Sequence, residues 1–285
     1  MPRNNSRRTG STSKKETEAV SSAPVASVLD FVTPTDVVDL PSGGRFYDED
    51  HPLHNKETIE IRYMTARDED TLTNQSYLKK GVALEKLMQN LIIDKRIHPG
   101  TLLVGDRGAI LMAARISAYG SNYKTSISCP SCGETSDFAF DLSELQTGVS
   151  AEDDDNEVDV THTDDNTYTV KLPLTGVSAE FRLLTGNDEL AITQAIQKAR
   201  NRNKVDGTLS TQFSRAIVSL NSETDREVIR KFALLMPASD ARVLRRAIQS
   251  VTPALDMNQN FECPECGHEQ EMEVPLTADF FWPDR

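Results

Sequence analysis

The sequence predicts an α+β chain, a mostly helical domain with short strands, closed by a four-cysteine ribbon built from two sequence-distant hairpins. Three observations predict it. Two near-repeats, Cys129-Pro130-Ser131-Cys132-Gly133 and Cys263-Pro264-Glu265-Cys266-Gly267, contain all four cysteines. Each is flanked by strand-like alternation: Tyr123, Thr125 and Ile127 before the first and Phe138, Phe140 and Leu142 after it, then Phe261 before the second and Met272, Val274 and Leu276 after it. Elsewhere the apolar residues recur at intervals of three and four, the period of amphipathic helices.

The spacing within each knuckle has a physical reason. Two intervening residues let both thiolates turn toward one point, the Pro fixes the approach, and the Gly accepts the positive φ of a tight turn. Four thiolates facing one another make the tetrahedral donor set that zinc prefers in structural sites. Two separate redox CxxC pairs are the alternative, but no cysteine lies outside the pattern and both copies read CPxCG. Cys129, Cys132, Cys263 and Cys266 are therefore the expected Zn2+ ligands. Such a set leaves no open coordination position, so the metal is structural. With 130 residues between Cys132 and Cys263, it would clasp the middle of the chain to its end.

Composition bounds the function. The chain has 285 residues, 38% of them apolar and 26% charged, with no run of membrane-spanning length and no signal-peptide pattern. Reduced, metal-binding cysteines fit a cytosolic compartment. A net charge of −13 argues against general nucleic-acid binding. Residues 1–28 depart from that balance, with a net +3 in a Ser/Thr/Asn-rich stretch that reads as a disordered, solvated tail.

Order is expected from Val28-Leu29-Asp30-Phe31 onward. Val37 to Leu40 reads as a short strand, followed by a Pro41-Ser42-Gly43-Gly44 turn and the Phe46-Tyr47 pair. The double Gly lacks the Lys and the following helix of a phosphate-binding loop. His51 and His54 share a loop, but no third ligand lies nearby. Thr58 to Met64 alternates as a strand, and Thr65 with Asp68 forms a capping-box variant opening a helix. A second helix is expected over 82–93, ended by Pro99-Gly100. A third runs from Gly108 to about Tyr119, with Asp106 as its N-cap and Gly120 as its stop.

Residues 151–157 form an acidic loop without EF-hand spacing. A hairpin follows over 158–162 and 167–172, joined around Asp165-Asn166, and then a strand over 179–184. Asn187 is the expected cap of a helix running to about Arg200, and 201–207 is a polar loop. Three short helices are expected over 211–220, 222–236 and 239–251, the last carrying the basic cluster Arg242, Arg245 and Arg246. Phe280, Phe281 and Trp282 lie close to the C-terminus and are expected to fold back onto the domain, with docking to another protein as the alternative. The divisions are a basic tail over 1–28, an α+β region over 29–128, a first zinc hairpin over 129–145, a β-hairpin and helical insert over 146–258, and a second zinc hairpin with the aromatic tail over 259–285.

The sequence contains no GxSxG, HExxH or Walker A motif and no spare cysteine nucleophile, so a non-enzymatic assembly protein is expected. Leu40 to Tyr47, Ile61 to Glu69, Asp106-Arg107, Ala114-Arg115-Ile116, Tyr119-Gly120 and Cys129 to Gly133, taken in order, resemble the baseplate protein family of T-even-type contractile-tailed phages. That family includes the baseplate hub subunit and the hub assembly catalyst. The resemblance covers about residues 30–285 and is strongest over 38–145. It implies a hub subunit or assembly chaperone acting through contacts with hub and tape-measure proteins in the host cytoplasm, with retention in the virion baseplate left open, as is a homo-oligomeric state. It carries over no catalytic residue and does not explain the basic tail. The alternative is a nucleic-acid-binding zinc-ribbon factor of phage transcription or replication, which Glu134, Asp137, Glu262, Glu265 and Glu269 around the knuckles disfavour.

Overall fold

The computed structural model describes residues 33–145, 147–149, 158–163, 166–200, 207–274 and 278–281. The readings of the basic tail, the Val28–Phe31 start, the 151–157 loop, Asp165, most of the 201–207 loop and Trp282 fall outside these residues. From Pro34 the chain forms one compact unit. Among the described residues no helix is long and apolar enough to cross a membrane.

Strand β1 (Thr35–Asp39) pairs antiparallel with β2 (Thr58–Arg62), placing Val38 opposite Ile59. These two and Ile61 are buried, as the alternation requires. Gly44 in the intervening turn has φ 74°, and a Cβ there would collide with the backbone of Leu53 and Lys56. The double Gly thus serves a tightly packed turn.

Helices α1 (Ala66–Thr73), α2 (Gln75–Lys80) and α3 (Ala83–Leu91) follow. Helix α2 is an addition to the sequence reading, capped by Asn74, whose side chain accepts from the Ser76 and Tyr77 amides. After a 3-10 turn over Pro99–Thr101 comes α4 (Val104–Tyr119). It begins before the expected Gly108, with Leu103 as N-cap, so Asp106 lies inside the first turn. Asp106 is fully buried and turned away from capping because the turn claims it: the Ser42 amide donates to it at 3.0 Å, and the Ser42 and Tyr47 hydroxyls each at 2.6 Å. Gly120, at φ 82°, ends α4 as expected.

The first knuckle joins β3 (Asn122–Ser128) to β4 (Thr135–Asp141), and β5 (Thr147–Val149) follows. Strands β6 (Val160–His162), β7 (Thr167–Lys171) and β8 (Ser178–Arg182) form a meander. Helix α5 (Gly186–Arg200) starts one residue before Asn187, and Thr185 with Asp188 takes the capping role expected of Asn187. Helix α6 (Thr208–Ala216) stops short of the expected Leu220. Ile217 to Leu220 instead form β9, pairing with β8 to complete a four-stranded sheet. The free edge of β8 outweighed a helical period carried by β-branched residues. Helix α7 (Arg226–Leu235) is capped by Asp225, and α8 (Ala238–Val251) leads to β10 (Pro253–Leu255), which pairs with β5. The second knuckle joins β11 (Asn258–Glu262) to β12 (Glu269–Glu273), and a last 3-10 turn covers Ala278–Phe281.

The chain repeats itself. Arg62 forks onto Asp68 at 2.7 and 2.9 Å and also donates to Tyr63 O. Arg182 forks onto Asp188 at 2.8 and 3.0 Å and donates to Leu183 O. Thr65 gives its amide and hydroxyl to Asp68, and Thr185 gives the same two groups to Asp188. Helix α3 is capped at its C-terminus by Ile92, bridged to Ile61, and α6 by Ile217, paired with Phe181. The turn at Ser42 closes on Asp106 of α4. The turn at Leu174-Thr175 closes on Asp240 of α8, through two amides at 2.8 and 3.0 Å and a hydroxyl at 2.7 Å. Cys129 and Cys132 follow Asp106 by 23 and 26 residues, and Cys263 and Cys266 follow Asp240 by the same separations. Two halves, 35–141 and 160–273, therefore share one plan of hairpin, capped helix, long Asp-bearing helix and knuckle.

Candidate metal centre

Each knuckle is set by the same backbone bonds. The Cys129 amide donates to Glu134 O at 2.8 Å and the Gly133 amide to Cys129 O at 2.9 Å. The Cys263 amide donates to His268 O and the Gly267 amide to Cys263 O, both at 2.9 Å. Gly133 and Gly267 have φ 77° and 67°, which a Cβ would strain. Beneath the knuckles, Ile127, Phe140 and Phe261 are buried, and Phe138 packs edge-on against Phe261 at 5.2 Å.

All four Sγ atoms lie within 4.8 Å of one another. Cys129 meets Cys266 at 3.8 Å, and Cys132 meets Cys263 at 3.8 Å. Exchanging the halves turns each contact into the other. None of the four is in a disulfide, whose sulfurs would be about 2.05 Å apart. Four sulfurs bound about 2.3 Å from one zinc at tetrahedral angles lie about 3.8 Å apart, so the donor set fits a tetrahedral metal. The amides of Cys132 and Ser131 hold the Cys129 thiol down at about 6. Cys132, which the Glu134 amide favours as thiolate, is nonetheless pushed up to about 12 by burial and by the neighbouring sulfurs. Neighbouring thiolates repel one another, and a cation among them offsets that repulsion.

The structure separates the other candidates from this centre. His51 Nε2 lies 2.9 Å from Thr101 Oγ1 with its ring stacked on Tyr47, and His54 Nδ1 lies 2.6 Å from Tyr47 O. Neither joins another ligand, and the cysteines are the one ligating cluster among the described residues. Arg242 and Arg246 line a cavity of about 500 Å³ with Lys171 and Asp159. Phe280 and Phe281 fold back and are buried, with Phe280 edge-on to Tyr123 at 5.4 Å.

Sequence reasoning missed Arg115, which holds that fold-back in place. It is fully buried, donates to Phe280 O and to Gly120 O, and lies over the Tyr119 and Phe280 rings at 5.1 and 5.9 Å. Its signal is an Arg on the apolar face of a helix. Arg107 was missed as well: it joins Glu85 of α3 at 2.8 Å to Glu189 of α5 at 3.0 Å.

Fold and site together give two similar halves whose knuckles bring four cysteines into one cluster that could hold a metal ion. The chain belongs to the T4 bacteriophage base plate protein family, whose profile matches residues 33–282. No curated protein and no solved structure matches it. Membership in that family implies contacts with other phage baseplate components and a place in the virion tail.

Proposed function

We propose that the chain is a baseplate hub subunit or hub assembly chaperone, working by protein–protein contacts with hub and tape-measure proteins and holding one structural Zn2+. The match over residues 33–282 is the observation that carries this reading. The four-sulfur cluster supports it, since a closed thiolate set stabilises a fold and offers no substrate a vacant position. Cys129, Cys132, Cys263 and Cys266 hold the metal, which neutralises the thiolates and ties the two knuckles together. The protein acts in the host cytoplasm during assembly and catalyses no reaction. A nucleic-acid-binding ribbon is disfavoured because Glu134, Asp137, Glu262, Glu265 and Glu269 are all exposed around the knuckles.

The test is affinity capture from infected-cell lysate, paired with mass spectrometry of purified virions. Capture of hub or tape-measure proteins supports the reading. Presence in virions then makes the chain a subunit, and absence makes it a chaperone. Capture of polymerase or nucleic acid in their place overturns it.

A further inference from the structure

Among the described residues, the repeat leaves one seat filled in the first half and open in the second. In the first half, the start of α3 and the start of α4 hold helix α5: Arg107 reaches both Glu85 and Glu189, Gly100 lies against Asn187, and Gly81 lies against Thr193. A backbone bridge completes the contact, with the Val104 amide donating to Leu184 O at 3.1 Å and the Gly186 amide to Leu102 O at 2.9 Å.

In the second half, the matching elements are the start of α6 and the start of α8. There they leave a groove of about 320 Å³ lined by Gly207, Leu209, Phe213, Ala233 and Ala241. Leu209 occupies the repeat position of Leu84, and Ala241 that of Arg107. Next to Ala233 in the chain, Leu234 and Leu235 are 69% and 82% exposed, the most exposed large apolar side chains among the described residues. Contiguous exposed leucines of this kind mark a contact surface. The lobe is also basic within an acidic chain: residues 207–251 hold seven Arg and Lys against four Asp and Glu.

The first-half helix that corresponds to α5 is α1. Met64-Thr65 precedes it as Leu184-Thr185 precedes α5, and it presents exposed Glu69 and Asp70. Among the described residues no bridge joins Thr65 to Pro237, the repeat counterpart of Leu103. We propose that the groove seats α1 of a second copy, repeating between chains the contact already made within each chain. The backbone groups for the bridge are in place. The Ala238 amide and Met236 O stand where the Val104 amide and Leu102 O do, and the Ala66 amide and Met64 O where the Gly186 amide and Leu184 O do. Leu234 and Leu235 supply apolar contact where the first half uses the Arg107 ion pairs. Because the two patches differ, the contact is head-to-tail, and copies add into a ring or a row. This inference stands apart from the hub assignment.

The test is light scattering on full-length protein eluting from a sizing column, over a range of loading concentrations. One variant, Leu234→Asp with Leu235→Asp, blocks the groove. The other, Ala66→Lys with Asp70→Lys, blocks α1. Leu234 and Leu235 adjoin the groove residue Ala233, Ala66 and Asp70 lie on α1, and melting by circular dichroism checks that both variants fold. The expected result is a wild-type mass that rises with concentration above the 31.6 kDa monomer, while each variant alone stays monomeric. An equimolar mixture of the two stops at a dimer, since each end of that dimer carries a blocked face. A monomeric wild type, variants that associate like wild type, or a mixture that stays monomeric would overturn the proposal. A monomeric wild type whose groove binds an acidic helical peptide would assign the groove to another protein.

Discussion

In the first half of the chain, Arg62 and Thr65 converge on Asp68, and the turn at Ser42 closes on Asp106. In the second, Arg182 and Thr185 converge on Asp188, and the turn at Thr175 closes on Asp240. Around these shared bonds the halves diverge. Asn74 breaks the first helical segment into α1 and α2, whereas α5 runs unbroken. Helix α7 occupies a stretch that in the first half is only a connection and a 3-10 turn. Arg107 and Arg115 have Ala241 and Gln249 in their places. The repeated groups are those that build a half, and the differing groups sit where a half meets something else. Arg107 meets the other half, Arg115 meets the C-terminal turn, and α7 faces outward with its leucines.

The comparison breaks most severely at the cysteines, where both halves depend on one centre. Replacing Cys129 or its counterpart Cys263 by Ser is expected to abolish metal retention and to melt both hairpins together, because structural zinc sites contribute on the order of 10 kcal/mol to folding. Metal content and near-ultraviolet circular dichroism check this. Loss confined to the mutated hairpin would contradict a shared centre.

Next come the two turn–helix latches. Asp106→Ala leaves the Ser42 amide and the Ser42 and Tyr47 hydroxyls without their acceptor, and Asp240→Ala does the same to the Leu174-Thr175 turn. Each is expected to cost about 3 kcal/mol in urea unfolding, since bonds to a charged acceptor contribute about 1.5–3 kcal/mol. If the repeat is physical, the two losses agree closely. A smaller loss, about 2 kcal/mol, is expected from Arg62→Ala, which strands the buried Asp68, and less from Arg182→Ala, whose side chain is more exposed.

Acid sharpens the same point. Burial works against ionisation of Asp68, Asp188 and Asp240, yet Arg62, Arg182 and the Thr65, Thr185 and Thr175 donors hold all three below the usual carboxylate range. Carboxylates depressed in the folded state stabilise it above their unfolded value, about 3.9, and that contribution is lost as pH falls through the folded value. The melting temperature is therefore expected to fall below about pH 4 in both halves. Thiol protonation and metal loss are separated from this by following metal content in the same samples.

Much of this was legible in sequence because the signals were local. The CPxCG knuckles, the Thr65–Asp68 cap and the alternation of β1 and β2 each depend on neighbours a few residues apart. Asp106 was misread because its partners, Ser42 and Tyr47, lie about sixty residues away, and a buried Asp in a first turn looks like a cap from sequence. Ile217 to Leu220 were misread because a sheet edge is invisible in a one-dimensional pattern. The repeat itself was present as Leu40-Pro41 and Leu172-Pro173, as the Arg-Thr-Asp triads, and as the equal Asp-to-Cys spacings. It went unseen outside the knuckles because insertions such as α7 shift the register between them.

X-ray absorption at the zinc edge of the purified full-length protein, with metal stoichiometry, tests the central claim most directly. The account predicts one zinc per chain in a shell of four sulfurs at about 2.3 Å. A metal-free folded protein, or a shell containing nitrogen or oxygen, would contradict it.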